Sequence, residues 1–254
     1  MSTTEAGRFA RYPSLRDRTV LITGGASGIG AEMVAQFSAQ GSRVAFLDFD
    51  DVHGKQLAEL SGALFLHCDL RDIAALRAAV AEAAAQLGPV TVLVNNAARD
   101  DRHGLETVEP DYWDERMHTN LRHQFFCAQA VAPMMKAARQ GSIISMGSVS
   151  WMKAQGGMPA YTTAKAAVHG LARGLARDLG PFGIRSNIVV PGWVFTDRQE
   201  ELWATPEAVA ATLERQCLKE KLYPPDIARM VLWLASDDSR MVTAQTFIVD
   251  GGGT

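Results

Sequence analysis

Short apolar runs alternate with longer amphipathic stretches along almost the whole chain of 254 residues. Seven runs rich in Val, Ile, Leu and Phe are predicted to be strands: Thr19–Thr23, Arg43–Leu47, Ala63–His67, Thr91–Val94, Ser142–Met146, Arg185–Val190 and Thr246–Val249. Their hydrophobicity is nearly continuous, which is typical of parallel strands covered on both faces. The sequence therefore predicts a single α/β domain over residues 1–254, built as a three-layer, doubly wound parallel sheet of about seven strands with helices on both faces.

The stretches between these runs have helical periodicity. Helices are predicted over Ile29–Gln40, Ile73–Leu87, Tyr112–Arg139, Ala160–Leu179 and Asp226–Ala235. Residues 1–14 are polar and contain Pro13, so they are predicted to form a loose N-terminal arm. Residues 192–220 interrupt the alternation, and Thr205-Pro206 is typical of a helix start. A long insertion at the carboxyl end of a strand favours a substrate lid, with an oligomer contact as the alternative.

Composition excludes several classes of protein. The formal net charge is −3, which gives no basic surface for nucleic acid or an anionic membrane. Three cysteines lie far apart without a C-x-x-C motif, so a disulfide scaffold or cysteine-based zinc site is not expected. No apolar run is long enough to span a membrane, and the N-terminus lacks an apolar signal segment. We therefore expect a cytoplasmic protein without nucleic-acid or membrane partners.

A glycine-rich turn follows the first predicted strand and precedes the first predicted helix. It reads Thr23-Gly24-Gly25-Ala26-Ser27-Gly28-Ile29-Gly30. Glycines let the backbone approach a pyrophosphate closely, and the helix N-terminus supplies unpaired N–H groups. The turn in this position favours a Rossmann-like dinucleotide site, whereas the same residues without the strand and helix would indicate only a flexible loop.

A carboxylate ends the second predicted strand. Asp48 follows Gly30 by eighteen positions, where it can accept hydrogen bonds from the adenosine ribose hydroxyls and repel a 2′-phosphate. The glycine turn contains no Arg or Lys that would attract that phosphate. The sequence therefore predicts NAD rather than NADP as the cofactor.

A tyrosine and a lysine, Tyr161 and Lys165, lie four positions apart on one predicted helix and therefore share a face. A phenol titrates at about 10, and a neighbouring ammonium, aided by an oxidised nicotinamide, favours the phenolate and lowers that pKa. This pair is common on helix surfaces, but here Ser148 ends a predicted strand thirteen positions earlier and Asn120 lies in a preceding helix. Together the four residues predict acid–base chemistry on a hydroxyl group.

In these motifs the chain resembles the short-chain dehydrogenase/reductase family from Leu15 to Gly252. The resemblance rests on the glycine turn, Asn95-Asn96-Ala97, Asn120, Ser148, Tyr161, Lys165, Pro191-Gly192 with Thr196, and Asp250-Gly251, in family order. Ala98 departs from the glycine usual in the family, and its methyl group is expected to change affinity near the nicotinamide ribose. The resemblance implies an enzyme acting on CH–OH groups and a homotetramer.

The resemblance also implies a role for each matching residue. Tyr161 is the general base, Lys165 lowers its pKa and holds the nicotinamide ribose, Ser148 binds the reacting oxygen, and Asn120 holds a water. Cofactor contacts are expected from Gly24, Ser27, Gly28, Ile29, Gly30, Asp48, Asp69, Leu70, Asn95, Ala97, Tyr161, Lys165, Pro191, Gly192, Val194 and Thr196. Among these, Asp69 is expected at the adenine, and Val194 and Thr196 at the carboxamide.

Three segments are expected to surround the substrate, and they combine indole rings with charged and amide groups. Such a mixture suits a polyhydroxylated ring better than a steroid or acyl chain. Predicted substrate contacts are Asp100, Ser148, Ser150, Trp151, Tyr161, Trp193 and Arg198. No metal is expected, because the consecutive residues Asp100 to His103 rarely converge on one ion and are interpreted as a solvated turn.

Within the family, the chain is similar to bacterial aldose 1-dehydrogenases of the D-xylose type. The similarity lies in Asp100–His103, Tyr112–Arg116, Ser150-Trp151 and Arg198–Glu200. It implies NAD-dependent oxidation of an aldose at C1 to the aldonolactone. Two alternatives stay open: a dehydrogenase or reductase of another polyol, sugar acid or 3-oxoacyl substrate, and a catalytically silent NAD-binding scaffold. The complete set of Asn120, Ser148, Tyr161 and Lys165 argues against silence.

Overall fold

A computed structural model describes residues 9–254 of the chain. All seven predicted strands form, each with bounds within one residue of the prediction: β1 Thr19–Thr23, β2 Arg43–Asp48, β3 Leu64–His67, β4 Val92–Asn95, β5 Gly141–Met146, β6 Ile184–Pro191 and β7 Thr246–Val249. They pair in parallel in the order β3-β2-β1-β4-β5-β6-β7. The order reverses direction between β1 and β4, and a crevice opens outside the carboxyl ends of the strands at such a switch point.

Nine α-helices lie in the described part of the chain. They are α1 Gly28–Ala39, α2 Asp51–Ser61, α3 Ile73–Leu87, α4 Pro110–Met117, α5 His123–Ala138, α6 Pro159–Leu179, α7 Asp197–Trp203, α8 Pro206–Arg215 and α9 Pro224–Ala235. The seven-stranded parallel sheet has helices packed on both of its faces, which confirms the predicted three-layer architecture. No helix in residues 9–254 is long and apolar enough to cross a membrane.

Alternate residues of each strand pack on opposite faces of the sheet. Val20 and Ile22 of β1 belong to a buried cluster with α1 and α9, whereas Leu21 belongs to a cluster with α3 and α5. A third, smaller cluster packs α6 against β6. Because the central strands are covered on both sides, β1, β2 and β4 are mostly apolar along their length. The strands β5 and β6 also bury the polar residues Ser142, Ser145, Ser186 and Asn187.

The predicted helix over Tyr112–Arg139 is not one α-helix. A π-helical segment, His118–Arg122, separates α4 from α5. Asn120 lies inside this segment and is fully buried. Its side-chain oxygen accepts a hydrogen bond from the backbone N–H of Arg99 at 2.9 Å. Single-turn π segments often occur at functional sites, and this one turns Asn120 toward the loop after β4.

The predicted N-terminal arm lies partly outside the described residues, which begin at Phe9. Its described part is docked on the domain rather than loose. Tyr12 N–H donates to the Gln40 side chain at 2.9 Å, and the guanidinium of Arg229 lies 3.6 Å from the centroid of the Phe9 ring. Pro13–Leu15 form a short 3₁₀ turn whose Leu15 side chain is fully buried.

Candidate active site

A cleft of about 1180 Å³ opens at the carboxyl ends of the strands. The predicted cofactor residues that line it are Gly24, Ser27, Gly28, Ile29, Gly30, Asp48, Asp69, Leu70, Ala97, Tyr161, Lys165, Pro191, Gly192, Val194 and Thr196. The predicted catalytic and substrate residues that line it are Asp100, Ser148, Ser150, Tyr161, Lys165, Trp193 and Arg198. This volume is larger than that of a typical drug-sized pocket, so it has room for a dinucleotide together with a substrate.

The glycine turn needs residues without side chains at two points. A Cβ on Gly24, whose φ is +66°, would lie 2.7 Å from the Ala97 Cα, and a Cβ on Gly30 would lie 1.8 Å from the Gly24 carbonyl oxygen. Ser27 caps α1 in an extended conformation without a side-chain hydrogen bond to the helix. The first N–H groups of α1 therefore keep free hydrogen-bonding capacity toward the cleft, which fits a dinucleotide pyrophosphate.

Two carboxylates mark the far end of the cleft from Tyr161. One oxygen of Asp48 accepts from Ala26 N–H at 3.0 Å and the other from Asp50 N–H at 3.1 Å. Asp69 forms a salt bridge with Arg71, whose Nη2 donates to the Asp69 Oδ2 at 2.7 Å. The hydrogen bond from Arg71 lowers the pKa of Asp69. Both groups are fixed in position and half-buried or exposed at the cleft, so both can accept hydrogen bonds from a nucleoside.

The reactive end of the cleft holds Tyr161, Lys165 and Ser148. Lys165 is buried, and its ammonium donates to the Met146 carbonyl at 2.8 Å. Ser148 follows β5, and its Oγ accepts from Ser150 N–H at 3.1 Å. The Lys165 Nζ lies 5.8 Å from the centroid of the Tyr161 ring. The strand end and the first turn of α6 thus bring a hydroxyl, a phenol and an ammonium together.

Burial is the largest influence on the pKa values of Tyr161 and Lys165. It raises the pKa of Tyr161 to about 12, although a hydrogen bond with Ser148 acts in the opposite direction. In the protein alone, removal of the phenolate from water outweighs the effect of its neighbours. The lowering expected beside an oxidised nicotinamide stays a prediction. Burial also lowers the pKa of Lys165 to about 8, partly offset by the charge of Asp100.

Asn120 lies behind this group rather than in it, and it does not line the cleft. Its side chain accepts from Arg99 N–H and donates to the Arg116 carbonyl at 3.0 Å. The side chain therefore holds the π-helical segment against the loop after β4. Its predicted role with a water stays a prediction.

Asn95 is not at the cleft either, which corrects its predicted cofactor contact. It ends β4 fully buried and donates to the Gln124 carbonyl at 3.3 Å. The next residue, Asn96, lines the cleft instead and donates to the carbonyls of Thr23 and Gly24 at 3.1 and 2.9 Å. Successive side chains of a strand point to opposite faces, so a shift of one residue exchanges the two positions.

The predicted substrate residues divide into two groups. Arg198 of α7 donates to Asp100 at 2.5 Å and to Asp101 at 2.9 Å. The side-chain amide of Gln199 donates to the other carboxylate oxygen of Asp100 at 2.9 Å. Trp193 donates to the Gln199 side chain at 2.9 Å. Residues 100–103 are thus bonded to the neighbouring helices, not a solvated turn. Of these loop residues, Asp101 accepts from Arg116 at 2.5 Å as well.

Trp151 and Ser150 differ from that group. Trp151 does not line the cleft, which corrects its predicted contact with the substrate. Its ring packs edge-on against His169 at 5.0 Å between centroids, and 38% of its surface is exposed. Ser150 lines the cleft, but its hydroxyl is buried without a hydrogen-bond partner in the described structure.

A series of ion pairs along the cleft was missed by the sequence analysis. Arg71 pairs with both Asp69 and Glu115, and Glu115 with Arg116, whose guanidinium also pairs with Asp101. Asp101 completes the series through Arg198. The charges therefore run continuously from Asp69 to Arg198 of α7. Among residues 9–254, no group of three or more His, Cys, Asp or Glu side chains is arranged so that it could bind a metal ion.

The segment predicted to be a substrate lid, residues 192–220, carries two helices and is called the lid segment below. Thr205 caps α8 by accepting from Ala208 N–H at 3.2 Å, with Pro206 in the first turn, which confirms the predicted helix start. Thr196 caps α7 in the same way through Gln199 N–H at 3.4 Å. The side chain of Thr196 therefore fixes the start of α7 at the edge of the cleft, beside Gly28.

Comparison with known proteins agrees with this arrangement. The family model described as enoyl-(acyl carrier protein) reductase matches residues 24–254. The chain is 49% identical over 249 residues to a probable galactose dehydrogenase of Rhizobium meliloti, covering 96% of this chain and 97% of that one. It is 48% identical over 248 residues to D-xylose 1-dehydrogenase of Caulobacter vibrioides, covering 96% and 98%.

The solved structures give the same result. A protein described as a short chain dehydrogenase/reductase family protein superposes with a TM-score of 0.85 at 33% identity, over 94% of this chain and 98% of that one. The glycine turn, the Tyr161–Lys165 pair and Ser148 all lie in one cleft at the switch point of a sheet of this type. The chain is an oxidoreductase that belongs to the short-chain dehydrogenase/reductase family.

Proposed function

We propose that the protein is an NAD-dependent aldose 1-dehydrogenase, which oxidises a pentose or a related hexose or 6-deoxyhexose at C1 to the aldonolactone. The observation that carries this proposal is near-50% identity, over almost the full chain, to proteins named for the oxidation of galactose and of D-xylose. The polar substrate end of the cleft supports it, because Asp100, Arg198 and Gln199 offer paired donors and acceptors to several hydroxyl groups.

The residues around Tyr161 suit the chemistry of a hemiacetal. We assign Ser148 to hold the C1 hydroxyl, and the Tyr161 phenolate to accept its proton while C1 becomes the carbonyl of the lactone. The Lys165 ammonium, fixed by Met146, stabilises that phenolate and holds the nicotinamide ribose. The nicotinamide supplies the acceptor for the hydride that leaves C1. The sugar ring oxygen stabilises the positive charge that develops at C1. Oxidation is favoured in the forward direction because the product is a lactone, in which the same oxygen is conjugated with the new carbonyl.

Asp48 supports NAD rather than NADP. Its carboxylate is held at the end of β2 by two backbone N–H groups, beside Phe49, whose ring is 62% exposed. A negative charge at this position accepts the ribose hydroxyls and repels a 2′-phosphate. A homotetramer is proposed from the family resemblance alone. A cytoplasmic location is proposed from the sequence, and residues 192–220 are proposed as the substrate lid because they form a long insertion after β6.

The rate of NAD reduction across pentoses, hexoses and 6-deoxyhexoses tests the proposal. We expect D-xylose, L-arabinose or a related hexose to be oxidised, and matched deoxy sugars to lose much of the rate, because a site built to pair a hydroxyl rejects analogues that lack it. Product analysis must yield a lactone or aldonic acid. A keto sugar, or activity only on 3-oxoacyl thioesters, polyols or sugar acids, would contradict oxidation at C1, and no activity with any of them would favour the silent scaffold.

A further inference from the structure

His103 joins the loop after β4 to the helix that carries Tyr161. Its backbone N–H donates to the Gly157 carbonyl at 2.8 Å. Its ring Nε2 lies 3.1 Å from the backbone N–H of Ala160, and its Nδ1 lies 2.9 Å from the Asp101 carbonyl oxygen. The ring also packs edge-on against Tyr112, with 5.1 Å between centroids. The imidazole is thus held on several sides between the loop and α6.

The partners of the ring select the tautomer of the neutral imidazole. A backbone N–H can only donate, so Nε2 must accept and carries no proton. The proton of the neutral ring therefore lies on Nδ1 and is donated to the Asp101 carbonyl. His103 consequently acts as an acceptor toward α6 and as a donor toward the loop.

The N-terminus of α6 lacks any other side-chain cap. Met158 occupies the cap position and makes no side-chain hydrogen bond to the helix, and Pro159 has no N–H. Ala160 is therefore the first residue of α6 with a backbone donor, and His103 accepts from it. A side-chain acceptor at a helix N-terminus stabilises the first turn of the helix. That turn contains Tyr161, the residue after Ala160.

The same loop is bonded to the lid segment. Asp100 and Asp101 accept from Arg198 of α7, so the loop is tied to the lid at one end and to α6 at the other. We propose that His103 is a positioning residue: it sets the place of Tyr161 by capping α6, and it links that place to the loop that holds the lid. This inference rests on the proposed function only in taking Tyr161 as the base.

Variants at His103 separate its acceptor from its bulk. His103→Phe keeps a ring against Tyr112 but has no acceptor for Ala160 N–H. His103→Gln restores a side-chain oxygen as acceptor. Tyr112→Phe is the matched control, since it removes the hydroxyl that lies 3.2 Å from the His103 ring and leaves the acceptor in place. His103→Asn, too short to reach Ala160, replaces the Phe variant if that protein does not fold.

The kinetic test uses whichever of the sugars or other substrates named under the proposed function the wild type oxidises fastest. We expect His103→Phe to lower kcat by about 10²-fold, the cost of a misplaced catalytic group, with KM for NAD unchanged. kcat/KM should fall across the whole rise with pH, because a displaced Tyr161 loses the hydrogen bond to Ser148 that lowers its pKa, while the pH at which the rise levels off stays that set by Lys165. His103→Gln and Tyr112→Phe should stay near wild type. Equal kcat and pH profiles for His103→Phe and wild type would overturn the proposal.

Hydrogen exchange supplies a readout that needs no substrate. Backbone amides of residues 159–165 should exchange faster in His103→Phe than in the wild type or His103→Gln. Unchanged exchange there would overturn the proposal regardless of what the enzyme oxidises. A wild type that oxidises nothing in the panel would instead refute the proposed function and leave the exchange result intact, so the two failures are distinguishable.

Discussion

The guanidinium of Arg198 lies 2.5 Å from the carboxylate of Asp100, 98 positions earlier in the chain. The pair joins α7 of the lid segment to the loop after β4 directly beside the reactive end of the cleft. Burial raises the pKa of Asp100, but hydrogen bonds from Arg198 and Gln199 outweigh it and leave that pKa lowered. The carboxylate is therefore charged when it meets the lid.

Loss of this pair should weaken substrate binding more than cofactor binding. The pair is only partly buried, with side-chain exposures of 35% for Arg198 and 18% for Asp100, so it lies between a surface pair and a buried one. Arg198→Ala should raise KM for the sugar about 10-fold, equivalent to ~1.4 kcal/mol, and leave KM for NAD nearly unchanged. Steady-state kinetics with both substrates varied gives the two constants.

Glu200→Gln is the control for the lid prediction. It breaks a different ion pair of α7, to Lys221 at 3.4 Å, whose two residues do not line the cleft. This variant should keep both KM values near wild type. Equal effects of the two substitutions would mean that the lid needs its charges only for solubility or packing, not for holding the sugar.

Tyr161 and Lys165 should fail in different ways. Tyr161→Phe removes the phenol and should lower turnover by at least about 10²-fold while NAD still binds. Lys165→Ala should damage both turnover and NAD affinity, because the same ammonium is assigned to the ribose. Steady-state kinetics measures the turnover of each variant, and a fluorescence titration with NAD measures its affinity for the cofactor. A Phe variant that keeps more than about a tenth of the activity would contradict the role of the phenol as the base.

The pH profile should reflect the same two residues. Burial raises the pKa of Tyr161 to about 12 and lowers that of Lys165 to about 8. The base works only without its proton, so kcat/KM should rise toward alkaline pH. Lys165 loses its charge above its lowered pKa, so the rise should level off at higher pH. A profile that falls from neutral to alkaline pH would contradict both assignments.

The elements that the sequence predicts well are those fixed by local pattern. β1 and β7 have the predicted ends because each is a short apolar run bounded by polar or glycine residues. The π-helical break at His118–Arg122 has no local signal, since it depends on the bond between Asn120 and Arg99, which the fold brings together. The helical periodicity on both sides is the same, so the sequence predicts one continuous helix.

The candidate site divides along the same line. The residues near the cofactor follow motifs within single strand–turn–helix units, and most of them line the cleft. The partners of Asp101, in contrast, are Arg116 and Arg198 on separate elements, so a charged run that looks solvated in the sequence is paired in the fold. The predicted contact of Trp151 fails for a related reason, because the turn after β5 directs its ring toward His169 of α6.

Asp48 should set the cofactor preference. Asp48→Ala removes the charge held by Ala26 and Asp50 N–H groups, so it should lower kcat/KM for NAD by roughly 10-fold and raise it for NADP. The measurement is kcat/KM for each cofactor at a saturating sugar concentration. Equal use of both cofactors by the wild type would show that the carboxylate does not meet the ribose.

A buried histidine should make the fold sensitive to acid. His123 begins α5 with no exposed surface, and its Nε2 donates to the Ala97 carbonyl at 3.1 Å. Burial, aided by the charge of Lys165, lowers its pKa from 6.5 to about 3. His123 therefore takes up a proton below about pH 6.5 in the unfolded chain, but only below about pH 3 in the folded protein.

The sign of the effect follows from that difference. Stability contributed by neutral His123 is complete above its unfolded pKa and is lost as pH falls from about 6.5 toward about 3, with a slope of up to ~1.4 kcal/mol per pH unit. His123→Gln keeps an N–H donor for Ala97 but cannot titrate, so its free energy of unfolding should fall less steeply over the same range, whatever its value at neutral pH. Urea unfolding of both proteins at several pH values measures the two slopes. Parallel slopes would mean that the imidazole takes up its proton in the folded protein as readily as in the unfolded chain, and acid unfolding would then have to arise from the carboxylates of the ion-pair series.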